Sequence, residues 1–586
     1  MSHPPVAPGR PDSRALRLLW RVDAAWRLGR RPVALFLLHR LRLALGLPQR
    51  ALARAHPPRG RFLPGVAPAA PDLPPGEAAR LLRAAAALPE RPDWHGPFNP
   101  AADALGLDLF GPGDVRPVWE ASRFADLLVL VQAARLDPAG PHLAQAEARL
   151  AAWCAANPPF FGPAWACGQE AALRALALAL ALSLLQAEAP PASRALLERC
   201  ARRIAATPAY AAAQDNNHAI SEAAGAYACA LLLRRDSAGH ARRLARRVAR
   251  LVAPDGGFAQ VSAGYARLAL DVLAVAEVLR QRHGAPAFPA PLPARAAALA
   301  AWLHQVTAAE DGSTPAMGVE DGSAFADLGL HGPQDARGSV ERAARLFAGL
   351  GGDLPEEAGC AWLGLAVPAG RLARPARWRA SGSQGWRSAG ASAVLRGGRL
   401  RFRPAQADLL HLTLRDGPRA VLRDGGTGAY NPPAAWWWGA LAGAAAHNAV
   451  VFDGTEPMPR AGRFLLARWP RVEDLPDGAW RRDAAGRVHA RQVAVAGRVW
   501  TVTDRLSGRF RQAVLHWRLP AGPWRLTGEA ATDGLVTIRV IAEQPPLLDL
   551  VQGWESPGYG RIAPCPLLRV TVAGGISRMT TIIALP

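Results

Sequence analysis

The feature that most limits what this chain can fold into is a change of hydrophobic period part-way along it. From about residue 78 to 350, apolar residues recur at helical spacing in segments broken by Pro and Gly; beyond about 378 the segments are short, alternating, and rich in β-branched and aromatic residues. One core cannot serve both patterns, and 586 residues exceed what a single core normally holds. The pattern predicts a helical (α/α) toroid-like domain over 78–350, a Gly- and Pro-rich linker over 351–377, and an antiparallel β-sandwich over 378–586. A basic amphipathic stretch and a Pro-rich connector, 1–77, precede them. Helical segments are expected at 118–135, 142–156, 168–185, 195–206, 220–234, 268–280 and 294–306. Paired helices of this kind cannot bury their faces alone and must stack as a solenoid or a closed toroid.

The formal charge is +22 and the pI about 11.2, yet no residue is Lys, so every basic side chain is Arg. Together with the excess of Ala, Gly and Pro, this reads as a GC-rich coding bias on surface positions. It favours an acidic polymer over nucleic acid as partner. Without Lys there is neither a phosphate-binding Gly-Lys-Ser/Thr loop nor a Schiff-base mechanism. The six cysteines contain no C-x-x-C pair and sit in apolar patterns, which argues against a disulfide framework or a cysteine zinc site. No secretory signal pattern is visible at the start. The longest nearly continuous apolar run, 175–185, is short of the ~20 residues that a bilayer span requires, so no transmembrane segment is expected. Residues 14–46 space Leu and Trp helically with Arg between them, as in a docking helix pair or a membrane-surface contact.

Polar residues gather at three helix starts: Trp119, Glu120 and Arg123 in WEASR; Gln169, Glu170 and Arg174 in CGQEAALR; and Asn216, Asn217 and His218 in QDNNHAISE. A further run, PDGGFAQVSAGY, brings Tyr265 to the head of another helix. Glu120 with Arg123 and Glu170 with Arg174 stand at i,i+3 and i,i+4, the spacing of helix-surface ion pairs, although their recurrence suits a shared cleft. An amide, an imidazole and a phenol held at helix starts would make a proton-transfer site. The plainer alternatives are that Asn217 caps its helix, His218 is a structural imidazole and Tyr265 a half-buried aromatic.

These motifs, with RDGGTGAY at 423–430 and AAHNAVVFDG at 445–454, follow an order that resembles the heparinase II/III-like polysaccharide lyases, whose relatives include alginate lyases. The resemblance covers about 80–586. It implies β-elimination on an acidic, uronate-containing polysaccharide: Asn217 matches the amide that binds the sugar carboxylate, His218 a candidate base, and Tyr265 the phenol that protonates the leaving oxygen and, in syn elimination, can take the C5 proton. The expected substrate-binding set is Trp119, Glu120, Arg123, Gln169, Glu170, Arg174, Asn216, Arg403, Gln406 and His447, with Arg174 and Arg403 the fixed positive charges that would neutralise the substrate carboxylate.

The chain departs from the family where many members carry H-x-H-x-D, for here Pro404 and Gln406 replace both histidines. Asp424 and His447 match the other ligands of the zinc found in some members, but Gln406 is a poor zinc ligand, so no zinc and no other cofactor is expected. His411 has the opposite strand parity to Asp408 and is expected to point to the other face. Gln260 stands where some relatives carry Glu, and Ala266 where they often carry His. The family's setting implies the cell envelope, and the lack of a visible signal leaves a cytoplasmic alternative. The competing reading is a lyase-fold protein that binds an acidic exopolysaccharide or assists its export without cleaving it.

Overall fold

The computed structural model describes residues 14–53 and 55–586; the beginning of the expected N-terminal segment lies outside the described residues. A helical (α/α) toroid comes first and an antiparallel β-sandwich follows, with Ala358–Trp362 the last helix of the first part and Arg377–Ala380 the first strand of the second. In the toroid, an inner row of Gly168–Leu184, Asn217–Leu232 and Ala263–Arg282 packs side by side. The helices Pro191–Ala206, Ala238–Leu251 and Leu292–Val306 cover its outer side.

Sequence decides which helix goes where. Gly168–Leu184 runs Ala-Leu-Ala-Leu along much of its length and every residue in it is buried, as an apolar surface all round demands. Gly225 lets the inner helices cross closely, because a Cβ there would lie 2.5 Å from that of Ala172. Ala238–Leu251 is an outer helix: it carries five arginines, of which Arg242, Arg243 and Arg246 are exposed, and buries Leu244, Ala245, Val248 and Leu251. Those arginines mask its apolar stripe, which is why the sequence pattern misses it. The segment expected at 118–135 is two helices, Arg116–Ala121 and Ala125–Leu136. Phe124 breaks it at φ 64°, turning its ring edge-on against Trp153 at 5.2 Å.

In the sandwich, five-, eight- and four-stranded sheets enclose a second core around Leu395, Val450, Trp500, Trp517 and Val570. Alternation is regular: along Val499–Ser507, Trp500, Val502, Asp504 and Leu506 are the buried residues. The two domains meet along a seam where Phe402 and Val394 join the helical core. The loop 307–336 is pinned there, since Asp408 accepts the Gly318 N–H at 2.8 Å and Thr427 Oγ1 accepts the Glu320 N–H at 2.8 Å.

Candidate active site

The starts of the three inner helices open onto one cleft of about 400 Å³ at this seam. Asn216 caps its helix, its Oδ1 accepting the His218 N–H at 3.1 Å; Ser262 caps the next, its Oγ accepting the Tyr265 N–H at 3.1 Å. Capping fixes the backbone and leaves His218 and Tyr265 on the cleft wall. Asn217 turns inward instead. It is 2% exposed, its Nδ2 donates to Gln169 Oε1 at 2.9 Å and its N–H to Gln260 Oε1 at 2.8 Å, so Asn217 and Gln169 stand behind the wall.

His218 has only Cys167 Sγ near its Nδ1, at 3.7 Å. Burial pushes its pKa down to about 4 against the upward pull of Glu170, so the ring is neutral at pH 7. A neutral imidazole with a free lone pair is what a general base requires.

The hydroxyl of Tyr265 hydrogen-bonds that of Tyr430, and both face Asp321 Oδ2, at 3.3 and 2.8 Å respectively. Burial and then the Asp321 charge hold both phenols well above the usual tyrosine value. Burial alone would raise Asp321, but Arg116, with Nε at 3.5 Å, keeps the carboxyl below its ordinary range. Tyr265 is therefore a protonated phenol backed by a second one, fitted to give a proton rather than take one.

Arg403 reaches the cleft from the sandwich side, its Nη2 donating to Gln214 Oε1 at 3.3 Å. No carboxylate among the described residues pairs with it. Trp119 also lines the cleft, its Nε1 donating to the Pro163 carbonyl at 2.9 Å.

The other expected residues have different work. Glu120 pairs with Arg116, not Arg123. Arg123, in the bend between two helices, grips Glu170 through Nε and Nη2, at 2.7 and 2.8 Å, in a buried two-pronged bridge across 47 residues of sequence. The i,i+3 and i,i+4 pairings suggested by spacing do not form. Arg174, expected on the substrate, is 0% exposed: its guanidinium lies 4.4 Å from the Trp153 ring and 4.9 Å from that of Trp165, and donates to the Ser122 and Ala164 carbonyls. It braces the helix starts from within the core.

Gln406 and His447 are buried in the sandwich, away from the cleft wall. His447 Nδ1 lies 2.8 Å from Asp424 Oδ2, and His411 Nε2 lies 3.2 Å from the same oxygen. The parity argument for His411 fails because 408–411 is a turn, with Leu410 at φ 66° and the His411 N–H donating to the Asp408 carbonyl; the strand begins only at Leu412.

His411, Asp424 and His447 place ligand-type atoms within 4.8 Å of one another, the kind of set that could hold a metal. The donor chemistry does not fit one as arranged. His411 Nδ1 accepts the Asn448 N–H at 2.9 Å, so the ring proton sits on Nε2, the nitrogen turned toward Asp424, and no lone pair is left there for a metal. Among the described residues His447 Nδ1 hydrogen-bonds Asp424 Oδ2, while His411 Nε2 and His447 Nε2 are buried without a hydrogen-bond partner.

Residues 370–572 match the family described as heparinase II/III-like, C-terminal. The C-terminal domain of this chain belongs to the heparinase II/III-like family. The whole chain superposes on a heparinase III at 13% identity and TM-score 0.63, covering 92% of this chain and 89% of that one. A second heparinase III gene product matches at 15% identity and TM-score 0.59, with 95% and 91% covered. Heparan sulfate lyase HepC from Pedobacter heparinus matches at 16% and 0.51, with 92% and 87% covered. At these identities the likeness is one of fold. No curated protein matches the chain in sequence.

His218 and Tyr265 lie outside the matched segment, so their arrangement rests on the geometry above. Sequence reading missed Arg116, Asp321 and Tyr430 as parts of the site. Scarcity was an available signal for the last: the chain has five tyrosines, and three of them, Tyr210, Tyr265 and Tyr430, line this cleft. Asp321 sits in a loop without periodicity, and only the fold brings it to Tyr265.

Proposed function

We propose that this heparinase II/III-like protein is a polysaccharide lyase that cleaves an acidic, uronate-containing chain by β-elimination. The observation that carries the reading is a neutral imidazole and a protonated phenol on one cleft wall, opposite an arginine with no acidic partner. The C5 proton of a uronate is a weak acid until the adjacent carboxylate is neutralised, because the carbanion spreads its charge onto that group. Arg403 supplies fixed positive charge, and its planar guanidinium can meet a carboxylate through two hydrogen bonds. The dipoles of the inner helices, whose starts face the cleft, add partial positive charge.

His218 then takes the C5 proton, the electron pair forms the C4–C5 double bond, and the C4–O bond breaks. Tyr265 protonates the departing oxygen, and Tyr430, hydrogen-bonded to it, completes a path by which the phenol is reprotonated. Asn217 acts from behind the wall by holding Gln169 and Gln260 in place. No cofactor enters these steps.

The test is the ultraviolet absorbance of the unsaturated product on a panel of uronic-acid polymers. Product from at least one polymer supports the reading; binding without product from any of them would favour the non-cleaving alternative, to which the loss of both H-x-H histidines lends weight.

A further inference from the structure

The helical hairpin of Arg14–Leu28 and Arg30–Ala44 is docked on the body through one side only. Asp23 accepts the Arg468 N–H at 2.5 Å, Arg27 donates to the Trp469 carbonyl at 2.8 Å, and Ala24 packs on Ala461 and Ala467 of the sandwich. The second helix lies on Pro208–Gln214 of the toroid, with His39 against Tyr210 at 4.9 Å. The hairpin thus straddles both domains at the end of the cleft, and His39, Arg40 and Leu43 form part of its wall.

The other side is apolar and, among the described residues, exposes large side chains. Of the twenty exposed large hydrophobic residues among those described, eleven fall within residues 16–47. Leu18, Val22 and Trp26 are 62%, 60% and 82% exposed at four-residue spacing on the first helix, and Leu37 and Leu41 on the second, with Leu45 at its C-terminal cap, are 61%, 57% and 54% exposed at the same spacing. A contiguous exposed stripe of this kind marks a surface that meets something.

Charge narrows what that is. Residues 14–53 contain nine arginines and one aspartate, Asp23, which is already held by Arg27 and Arg468. Two copies of this face would bring arginines against arginines. An anionic lipid surface answers both features at once: acyl chains take the Leu, Val and Trp side chains while phosphate groups meet the arginines. Each helix has 15 residues, too few to cross a bilayer, so the pair lies in the interface plane.

We infer that this hairpin docks the protein on an anionic membrane surface, with the mouth of the cleft beside the lipid headgroups. The inference does not depend on the lyase reading. Flotation of the full chain with vesicles of phosphatidylcholine alone, and of phosphatidylcholine mixed with phosphatidylglycerol, tests it. The expected result is co-flotation with the mixed vesicles only, lost in a Leu18→Gln, Trp26→Ser, Leu41→Gln triple variant and weakened in an Arg17→Glu, Arg21→Glu variant. All these positions are exposed, so unchanged circular dichroism should show that fold is kept. Failure of the wild type to float with the mixed vesicles would overturn the inference, as would flotation undiminished by either variant. If the chain is instead a dimer by light scattering that the triple variant splits, without vesicle binding, the face is a protein interface and the lipid assignment is wrong.

Discussion

His218 in the cleft and His411 in the sandwich are both buried imidazoles, and burial lowers both to about 4. What differs is the company each keeps. His218 has one soft neighbour, a thiol at 3.7 Å, and faces open space. His411 is fixed at Nδ1 by the Asn448 N–H and has Asp424 Oδ2 3.2 Å from its other nitrogen, beside His447, which burial would lower but the same Asp424 raises. A side chain enclosed among fixed groups serves stability, and one left short of partners on a cleft wall is free for chemistry. The arginines divide in the same way: Arg403 lines the cleft without an acid, whereas Arg174 is enclosed by two indoles and two carbonyls.

The comparison breaks most visibly at Tyr265. Tyr265→Phe removes one oxygen and keeps the ring, so turnover should fall by about 10²–10⁴-fold with little change in melting temperature. Full activity in this variant would remove the phenol from the mechanism. Next in size, Arg403→Gln should weaken binding of an acidic oligosaccharide by about 2–5 kcal/mol, and the loss should persist at ~150 mM salt, where exposed charges are largely screened. Arg174→Gln should do the opposite, costing about 1–3 kcal/mol of stability by leaving buried carbonyls without donors while substrate affinity stays the same. Equal effects of the two variants on affinity would erase the distinction between them.

Much of the fold was legible in the sequence because period is a local property: the switch from helical spacing to alternation, the Ala-Leu run of Gly168–Leu184, and the helix starts at Asn216 and Ser262 need no knowledge of neighbours. The site was legible only in part. Motif order marked His218 and Tyr265, and charge marked Arg403, all of which line the cleft, but the motifs equally marked Arg123, Glu170 and Arg174, whose partners lie on other elements and make them braces. Spacing along one helix cannot show a partner 47 residues away. His411 was misplaced for a related reason: strand parity holds only within a strand, and the turn at Leu410 resets it.

Two smaller effects sharpen the comparison. His218, His411, His489 and His516 all have folded pKa values near 4, below the ordinary histidine value. On acidification the unfolded chain takes up these protons first, so stability from the four is complete above pH ~6.5 and is lost as pH falls toward ~4. Urea unfolding midpoints across that window should decline with pH; constancy would mean that these rings are already charged in the fold. The smallest effect is none at all: dialysis against a chelator should alter neither turnover nor melting temperature, and elemental analysis should find zinc well below one equivalent, because His411 Nδ1 accepts a backbone N–H and so leaves no lone pair on the nitrogen turned toward Asp424.

The division of labour between His218 and Tyr265 is tested most directly by following deuterium from solvent into C5 of a uronate oligosaccharide that the wild type cleaves. With Tyr265→Phe the base remains and the acid is gone, so the account predicts deuterium at C5 with little cleavage, and neither exchange nor cleavage with His218→Gln. Exchange lost with Tyr265→Phe but retained with His218→Gln would make the tyrosine the base and contradict the account.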